Sequence, residues 1–227
     1  MAKKRSKRYK EALKIFDADK SYTLAEAIGI LKKFAPTKFN QTVGMSFSLN
    51  IDPKKTDQLV RGTVALPHGS GKTVRVAVFC KGEEEKEAKQ AGADFVGGAD
   101  LIEKVSEGFL GFDAAVATPE MMKDLSRLGK TLGPRGLMPS PKTGTVTMNV
   151  AQAVREIKGG KIEFKADKQA GVHVPVGKIN FSESQILENA SKVIEALSQS
   201  RPPTVKGHFI KSSSITCTMS PGLRLTL

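Results

Sequence analysis

Short apolar runs alternate with helix-forming stretches between residues 74 and 157, and this alternation constrains the fold more than any other feature of the sequence. The runs typical of strands are Val74–Cys80, Asp94–Val96 and Phe112–Ala117. The stretches typical of helices are Glu83–Ala91, Leu101–Val105, a segment opened by Thr118 and Pro119, and Val150–Ile157, which Gly159 and Gly160 end. Strands that alternate with helices form parallel sheets covered on both faces. The sequence therefore predicts a Rossmann-like α/β/α domain over residues 68–159.

The two outer segments have a different pattern, with two capped helices and several strands. Thr23 and Ser182 each open a capping box, with Glu26 and Gln185 three residues later. Thr42–Leu49 alternates apolar and polar residues, which is typical of a half-buried strand. Further strand-like runs are Val60–Leu66, Lys161–Lys165, Val172–Val176 and a final His208–Met219. We expect one discontinuous α+β sandwich domain of residues 1–67 and 160–227, with the α/β domain inserted through glycine-bearing crossings that would permit a hinge.

The positive charge of the chain is concentrated in these outer segments. The net charge is +13 in total, divided into +6 on residues 1–10, +2 on 11–66, +1 on 67–159 and +4 on 160–227. Such a distribution indicates a polyanionic partner for the outer domain, while the nearly neutral middle would bind a polyanion weakly or not at all. Charge alone leaves RNA, DNA and an anionic membrane surface open. The basic run of the first ten residues is expected to stay flexible until it meets RNA.

A nucleotide-dependent enzyme built on the middle domain is the main alternative, and the residues argue against it. His68–Thr73 resembles the end of a phosphate-binding loop, but Leu66 stands where that loop requires a glycine, and the segment precedes a strand instead of following one. The turn after the first middle strand carries Glu83, Glu84 and Glu85, which would repel a phosphate. We therefore expect no catalytic residues and no cofactor.

The cysteines and histidines give no sign of a metal or redox site. Cys80 and Cys217 lie in apolar, strand-like runs and are expected to be buried, reduced thiols. His68, His173 and His208 are far apart in the sequence, without the spacing of metal ligands. No apolar run is long enough to span a membrane, and no apolar stretch follows the basic N-terminus as it would in a secretory signal. We expect neither a metal site nor membrane contact.

One long motif in the middle domain is far more specific than these general features. Residues 128–141 read LGKTLGPRGLMPSP, and this spacing of Gly, Pro, Arg and a hydrophobic-Pro pair resembles the signature of the ribosomal protein L1 family. Other stretches that look like the same family are Lys38-Phe39, Val60–Val64, Leu66–Gly69, Ala91–Asp94, Gly144–Val146, Arg155–Lys158 and Pro175–Lys178. The resemblance covers nearly the whole chain.

This resemblance implies a function on the ribosome. Proteins of the family have a split outer domain and an inserted middle domain, and they form the mobile stalk beside the tRNA exit site of the large subunit. They bind a folded region of the large (23S-type) rRNA, assist the release of deacylated E-site tRNA and, in bacteria, repress their own operon by binding a similar structure in its mRNA. The resemblance thus implies a cytoplasmic, ribosomal, RNA-binding protein that is not an enzyme and is monomeric when free.

The family's main RNA contact lies on the outer domain, which agrees with the charge distribution. The resemblance places Phe39, beside Lys38, near Thr218 and Met219 at the end of the last strand. The usual Thr-Met-Gly-Pro motif reads Thr-Met-Ser-Pro here, so Ser220 would fit less well if the backbone needed a left-handed conformation or a close approach to RNA. Further positions at which the family contacts RNA are Thr42, Lys165, Lys168 and Ser212.

The chemistry of these residues is compatible with RNA binding but leaves simpler roles open. The Thr218 hydroxyl could bond a ribose 2′-OH, a group that DNA lacks. Phe39 and Met219 could pack on an exposed sugar or base, or they could be ordinary core residues. Lys165 and Lys168 could contact RNA or belong to a solvated turn.

Two further alternatives concern larger parts of the chain. The Gly-Pro-Arg-Gly loop is either a structural turn between helix and strand or, through Arg135 and Lys142, a secondary RNA contact. The whole chain could also be a basic nucleic-acid binder that is indifferent to sequence. An affinity for random RNA that falls steeply with salt, without preference for rRNA, would favour this last hypothesis.

Overall fold

The chain divides into two compact units in the computed structural model. The structure describes residues 6–34, 37–82 and 84–226. The first unit combines residues of Met1–Gly71 with those of Ile162–Leu227, and the second is Lys72–Lys161. We call them the split unit and the inserted unit.

The described ranges contain eight α-helices and ten strands, so the predicted mixture of α and β structure is confirmed. The strands are β1 (Ser21–Tyr22), β2 (Thr42–Leu49), β3 (Arg61–Ala65), β4 (Val76–Phe79), β5 (Phe95–Gly97), β6 (Ala114–Ala117), β7 (Lys161–Lys165), β8 (Gly171–Lys178), β9 (Ile210–Cys217) and β10 (Leu223–Leu225). The helices are α1 (Lys7–Ala12), α2 (Leu24–Lys33), α3 (Glu84–Gln90), α4 (Ala99–Ser106), α5 (Met122–Leu125), α6 (Gly129–Leu132), α7 (Val150–Lys158) and α8 (Glu183–Gln199). Short 3₁₀ turns lie at Thr56–Gln58, Pro119–Met121, Ser126–Leu128 and Pro141–Thr143.

A five-stranded sheet with the order β1-β10-β9-β2-β8 forms the centre of the split unit. Strand β2 pairs antiparallel with β8 on one side and with β9 on the other. Its side chains alternate as predicted, because Val43, Met45, Phe47 and Leu49 are at most 2% exposed. These residues form one core with apolar residues of α2 and α8, so we call this face of the sheet the inner face. Side chains on the opposite, outer face are half-buried or exposed.

The two predicted capping boxes are confirmed and begin the helices of the split unit. At α2 the Thr23 hydroxyl accepts a hydrogen bond from the Glu26 N–H, and the Glu26 carboxylate accepts one from the Thr23 N–H at 3.0 Å. The Thr23 N–H, and next the Thr23 hydroxyl, lower the pKa of the Glu26 carboxyl. At α8 Ser182 and Gln185 make the same reciprocal pair. Each box satisfies two backbone N–H groups that would otherwise lack a partner at the helix start.

Both ends of the split unit differ from expectation. The predicted final strand His208–Met219 is shorter, Ile210–Cys217, and after a turn the chain adds β10, which pairs with β9 and lies parallel to β1. Residues 7–12 form α1 with Ser6 as N-cap, so the expectation of a flexible basic run is wrong for residues 7–10. Residues 1–5 of that run lie outside the described ranges. Strands of two or three residues are too short to produce a recognisable alternation, which explains why β1 and β10 were missed.

Asn189 of α8 fixes the segment at which the chain leaves the split unit. Its side chain is fully buried. The amide nitrogen donates to the carbonyl oxygens of Gly69 (3.1 Å) and Val176 (2.8 Å), and the amide oxygen accepts from the N–H of His68 at 3.1 Å. Gly69 has a φ of 67°, which glycine adopts without strain. The buried amide therefore joins helix, sheet and crossing segment in one hydrogen-bonded cluster.

Ser213 of β9 is the one described residue with a buried side-chain polar atom that lacks a hydrogen-bond partner. Its side chain points to the inner face, between Phe47 and Leu225 on the neighbouring strands. We expect Ser213→Ala to stabilise the protein by about 1 kcal/mol, because burying an unpaired hydroxyl costs free energy. Urea unfolding measures the change. Ser214→Ala, on the outer face of the same strand, is the control, and an equal gain there would contradict the explanation.

The inserted unit has a three-stranded parallel sheet with apolar clusters on both faces. The strand order is β5-β4-β6, and every residue of β4 is buried. Ala77 and Phe79 pack with residues of α4 and α5 on one face, while Val76 and Val78 pack with residues of α3 and α7 on the other. The sheet is therefore a middle layer between two helical layers.

Burial also accounts for the state of the two cysteines. Cys80 and Cys217 are unpaired and buried, which confirms the prediction of reduced thiols. Burial raises the pKa of each thiol to about 11. Both thiols are therefore protonated at neutral pH and poorly nucleophilic.

Asp113 links two cations at the start of the inserted sheet. Its carboxylate lies 2.7 Å from Lys72 Nζ and 3.3 Å from Arg75 Nε, and it also accepts from the Arg75 N–H. These contacts lower its pKa to about 2 from an ordinary 3.8.

The folded-state pKa of Asp113 predicts where its contribution to stability disappears. Because the pKa is lower in the folded state, the ionised carboxylate stabilises the fold above the unfolded pKa, and this contribution is lost as the pH falls from about 4 to about 2. Titration followed by carbon-detected NMR should give the low value directly. In the Asp113→Asn variant the free energy of unfolding should fall less steeply as the pH is lowered through this window. In Asp100→Asn the pH dependence should be the same as in the unchanged chain. An ordinary pKa for Asp113 would refute the ion pairs.

Candidate RNA interface

The first group of predicted site residues meets where β2 begins and β9 ends. The Thr218 hydroxyl accepts from the Thr42 N–H at 3.1 Å and donates to the Thr42 carbonyl oxygen at 3.3 Å, and the Thr218 N–H also donates to that oxygen. The two residues are 176 positions apart in the sequence. The Thr218 hydroxyl proton is already donated to Thr42, so this hydroxyl positions Thr42. It can contact a ligand only by accepting a hydrogen bond with its remaining lone pair.

Hydrogen bonds hold the backbone of Met219 on both sides, while its side chain is exposed. Its N–H donates to the Gln41 side-chain oxygen (3.0 Å), and its carbonyl oxygen accepts from Arg8 Nη2 (3.0 Å). Gln41 is buried, whereas the Met219 side chain is 53% exposed. The alternative that Met219 is an ordinary core residue is therefore wrong. Sequence reasoning missed Gln41 and Arg8, since nothing local to either residue indicates a contact with the far end of the chain.

Phe39 is exposed at the same end of the sheet. It lies three residues before Thr42, its side chain is 51% exposed, and its carbonyl oxygen accepts from the Thr37 hydroxyl at 2.6 Å. The core alternative is wrong here as well. Lys38 beside it is also exposed. An exposed aromatic ring next to a cation is an arrangement that can stack on a base while holding a phosphate.

Lys178 is a further cation at this end, and it was not among the predicted site residues. Its Nζ donates to the Thr42 hydroxyl oxygen at 2.8 Å. The Thr42 proton is consequently left to donate outward, to a ribose or phosphate oxygen. The motif Pro175–Lys178 was noticed in the sequence, but its contact with Thr42 depends on the register between β2 and β8.

Ser220 is accommodated without backbone strain. Its φ is not positive, and Ala170 is the one non-glycine residue in the described ranges that has a positive φ. The Ser220 hydroxyl accepts from the Cys217 N–H at 2.8 Å and donates to the Pro221 carbonyl oxygen at 3.0 Å. The left-handed backbone that would favour glycine over serine is therefore not needed here, and the side chain closes the turn itself.

The other predicted site residues lie at the opposite end of the sheet. Ser212 pairs with Ser48, six residues along β2 from Thr42, which corresponds to about 20 Å. Ser48 also pairs with Gly171, the first residue of β8, so the loop that carries Lys168 lies at this end as well, together with Lys165 at the end of β7. A depression of about 650 Å³ there is lined by Lys54, Leu59, Lys165, Ala166, Asp167, Lys168 and Pro53. The nine predicted residues thus form two groups rather than one cluster.

Small polar side chains on the outer face connect the two groups. Ser46, Ser214 and Thr216 occupy the outward positions of β2 and β9, and Gly44 leaves the sheet backbone uncovered between them. His173 of β8 lies beside Ser46, with its Nδ1 at 2.9 Å from the serine oxygen. The face can therefore donate and accept hydrogen bonds along its whole length.

Ser46, His173 and Asp167 are the residue types of a hydrolase triad, but their geometry is not that of one. His173 Nε2 is 4.0 Å from Asp167 Oδ2, beyond hydrogen-bonding distance. The other Asp167 oxygen accepts from the N–H groups of Gln169 and Gly171. Within the described ranges, no three His, Cys, Asp or Glu side chains could hold a metal ion, and no helix has the length and apolar composition to cross a membrane.

The fold and this surface define a class of basic α/β protein with an open, hydroxyl-bearing sheet face beside exposed cations. The sequence profile of the ribosomal protein L1p/L10e family matches residues 31–221. The chain therefore belongs to the ribosomal protein L1p/L10e family, as its motif predicted. Family membership makes it a structural protein of the cytoplasmic ribosome and not an enzyme.

Three relatives, each named large ribosomal subunit protein uL1, illustrate the similarity. The protein from Fervidobacterium nodosum is 53% identical over 225 residues, which cover 99% of this chain and 96% of the relative. The protein from Protochlamydia amoebophila is 51% identical over 222 residues, covering 98% and 94%. The protein from Thermobifida fusca is 51% identical over 220 residues, covering 97% and 94%. The similarity includes both units of the chain.

Proposed function

We propose that the chain is a component of the large ribosomal subunit that binds large-subunit (23S-type) rRNA through the outer face of the split unit. The names of its near-full-length relatives support the place in the large subunit. The observation that carries the RNA-binding surface is the set of three hydrogen bonds between Thr42 and Thr218, which brings the two predicted halves of the site together beside exposed Phe39 and Met219. In this proposal residues 1–67 and 160–227 form the RNA-binding domain, and 68–159 form the inserted domain.

Each group of site residues has its own role in the proposal. Phe39 and Met219 pack on an unstacked base or sugar, and Thr42 donates to a ribose or phosphate oxygen. At the other end Ser212, Lys165 and Lys168 hold a second stretch of the RNA backbone. A folded RNA that reaches both ends spans about 20 Å, the distance of roughly six residues along β2. That requirement favours a structured RNA over a single strand of arbitrary sequence.

The finer parts of the proposed function follow from the family resemblance. The protein would form the mobile stalk beside the tRNA exit site, assist the release of E-site tRNA, and repress translation of its own operon. Repression requires only that the mRNA present the same fold as the rRNA to the same outer face, so the two RNAs should compete. A monomer is sufficient for all of these activities, because the surface is built from one chain.

Binding of bacterial large-subunit rRNA, compared with random RNA of equal length, tests the proposal. We expect preference for the rRNA to persist as salt is raised, because base and sugar contacts are less screened than phosphate contacts. Phe39→Ala should weaken rRNA binding about tenfold and random RNA little, since base–aromatic stacking contributes about 1–3 kcal/mol per base. Equal affinity for both RNAs at all salt concentrations would support the sequence-indifferent binder instead.

A matched charge variant separates recognition from general attraction. Lys7→Gln with Lys10→Gln removes two cations of α1 and should weaken the binding of all RNAs alike. The slope of log affinity against log salt concentration should decrease in magnitude by about 2. If Phe39→Ala and this double variant gave the same pattern across RNAs, the assignment of roles would be wrong.

A further inference from the structure

Met219 combines an exposed, oxidisable sulfur with a place at the centre of the proposed RNA surface. The sequence has seven methionines, and six of them lie in the described ranges. Two of those six are exposed, Met219 at 53% and Met148 of the inserted unit at 65%. The other four are buried or half-buried. A small oxidant in the solvent therefore reaches the sulfurs of Met219 and Met148 more readily than those of the other described methionines.

The fold itself keeps Met219 at the surface. Its N–H donates to the side chain of Gln41, and its carbonyl oxygen accepts from Arg8. The Ser220 hydroxyl closes the turn from the other side by accepting from the Cys217 N–H at 2.8 Å. Because these bonds join the turn to both ends of the chain, the exposure of the thioether does not depend on a loose segment.

The two thiols of the chain do not compete with Met219 for an oxidant. Cys80 and Cys217 are at most 4% exposed. Burial raises the pKa of each thiol to about 11, so that both are protonated at neutral pH, and the protonated thiol is a poor nucleophile. Cys217 is two residues from Met219, but it belongs to the core on the inner face of the sheet. Met219 therefore supplies the reactive sulfur at this end of the sheet.

Oxidation of Met219 by hydrogen peroxide needs no other group of the protein. A lone pair of the thioether sulfur attacks one peroxide oxygen, so that an S–O bond forms and the O–O bond breaks. The departing hydroxide takes the proton of the transferred oxygen and leaves as water. The sulfur loses two electrons and the peroxide gains them. The product is methionine sulfoxide, a polar side chain whose oxygen accepts hydrogen bonds.

The backbone donors around Met219 are already used, so they cannot satisfy a sulfoxide oxygen. The consecutive N–H groups of Thr218, Met219 and Ser220 donate to Thr42, Gln41 and Cys217. The Thr218 hydroxyl also donates to Thr42. An RNA phosphate at neutral pH presents only acceptor oxygens. A sulfoxide pressed against a sugar or base would therefore lose its water without gaining a donor, which costs free energy.

We propose that Met219 is a site of reversible oxidation, at which sulfoxide formation by hydrogen peroxide in the free protein weakens binding of large-subunit rRNA. The proposal rests on the proposed function, because that function places the Met219 side chain against the RNA. Bound rRNA covers the thioether, so the modification acts on free chains and not on assembled ones. A thiol-dependent sulfoxide reductase reverses it: two thiols become a disulfide, and the sulfoxide oxygen leaves as water.

Peroxide treatment of the full chain tests the proposal, with each protein compared with its own untreated form. The unchanged chain, Met219→Leu and Met148→Leu are treated alike, and tandem mass spectrometry of their peptides locates the added oxygen. Affinity for an rRNA fragment is then measured at constant salt. Met148→Leu is the matched control, because it removes the other exposed thioether, which lies outside the proposed RNA surface.

We expect the treated unchanged chain and treated Met148→Leu to bind rRNA about tenfold more weakly, and Met219→Leu to change by less than about twofold, since only an acceptor buried without a partner opposes binding. Reductases for both sulfoxide epimers, supplied with dithiothreitol, should restore the affinity. Normal affinity of a chain fully oxidised at Met219 would overturn the proposal. An equal loss in treated Met219→Leu would overturn it as well.

Protection by rRNA separates failure of this proposal from failure of the proposed function. With rRNA bound, oxidation of Met219 should slow by at least about fivefold while that of Met148 stays unchanged, because exposure controls the reaction. Protection of Met219 together with normal affinity of the oxidised chain would reject the oxidation site alone. Equal oxidation of Met219 with and without bound rRNA would instead reject its RNA contact, and with it the surface in the proposed function.

Discussion

Asn189→Ala should lower the free energy of unfolding of the split unit by about 3 kcal/mol, the largest stability change among the variants that we propose. The variant loses three hydrogen bonds and leaves the His68 N–H and the carbonyl oxygens of Gly69 and Val176 without their partner. Each buried polar group left unpaired costs about 1–3 kcal/mol. Three such groups give a sum of about 3–9 kcal/mol, and partial exposure of the crossing segment keeps the loss near the lower end of that sum.

Tyrosine fluorescence during urea unfolding measures this change in the right part of the chain. The sequence has two tyrosines and no tryptophan, and both tyrosines, Tyr9 and Tyr22, lie in the split unit. Asn189→Leu, which fills the space but makes no hydrogen bonds, should be destabilised similarly. Glu188→Ala, which removes the exposed partner of His68, should change stability by less than about 1 kcal/mol. Normal stability of Asn189→Leu would show that packing, not hydrogen bonding, explains the site.

The second large effect is expected for Thr218→Val, which should weaken binding to large-subunit rRNA about thirtyfold. Valine has nearly the same shape but removes both hydroxyl bonds to Thr42, a loss of roughly 2 kcal/mol. The backbone bond from the Thr218 N–H to the Thr42 carbonyl oxygen remains, but the hydroxyl no longer fixes the turn that carries Met219 against the start of β2, so the two halves of the surface lose their exact geometry. Gel-shift or anisotropy titration at constant salt measures the affinity.

Two companion variants show whether Thr218 acts by positioning. Thr218→Ser keeps the hydroxyl and should bind rRNA almost as the unchanged chain does. Thr204→Val, at an exposed threonine elsewhere in the split unit, should leave binding unaffected. Normal rRNA affinity of Thr218→Val, with the fold intact by circular dichroism, would remove the central support for the proposed surface.

Local signals predicted the helix starts and the strand β2, whereas contacts between distant residues could not be read from the sequence. Thr23 and Ser182 identify their helices because a cap involves residues within one turn. Phe39 and Met219 were associated through a family motif, and the chain alone would have favoured a buried role for both. The contacts of Gln41, Lys178 and Arg8 depend on pairings across 136 to 211 residues, for which no local pattern exists.

The position of β2 in the sheet has a consequence for synthesis of the chain. Both of its neighbours, β8 and β9, are translated long after it, since β8 begins at Gly171 and β2 ends at Leu49. At a translation rate of about 5–20 residues per second, both edges of β2 remain unpaired and its apolar side remains uncovered for roughly 6–24 s. The inserted unit, by contrast, is contiguous and can fold during that interval. A nascent chain should therefore be aggregation-prone and unable to capture RNA until β9 has left the exit tunnel.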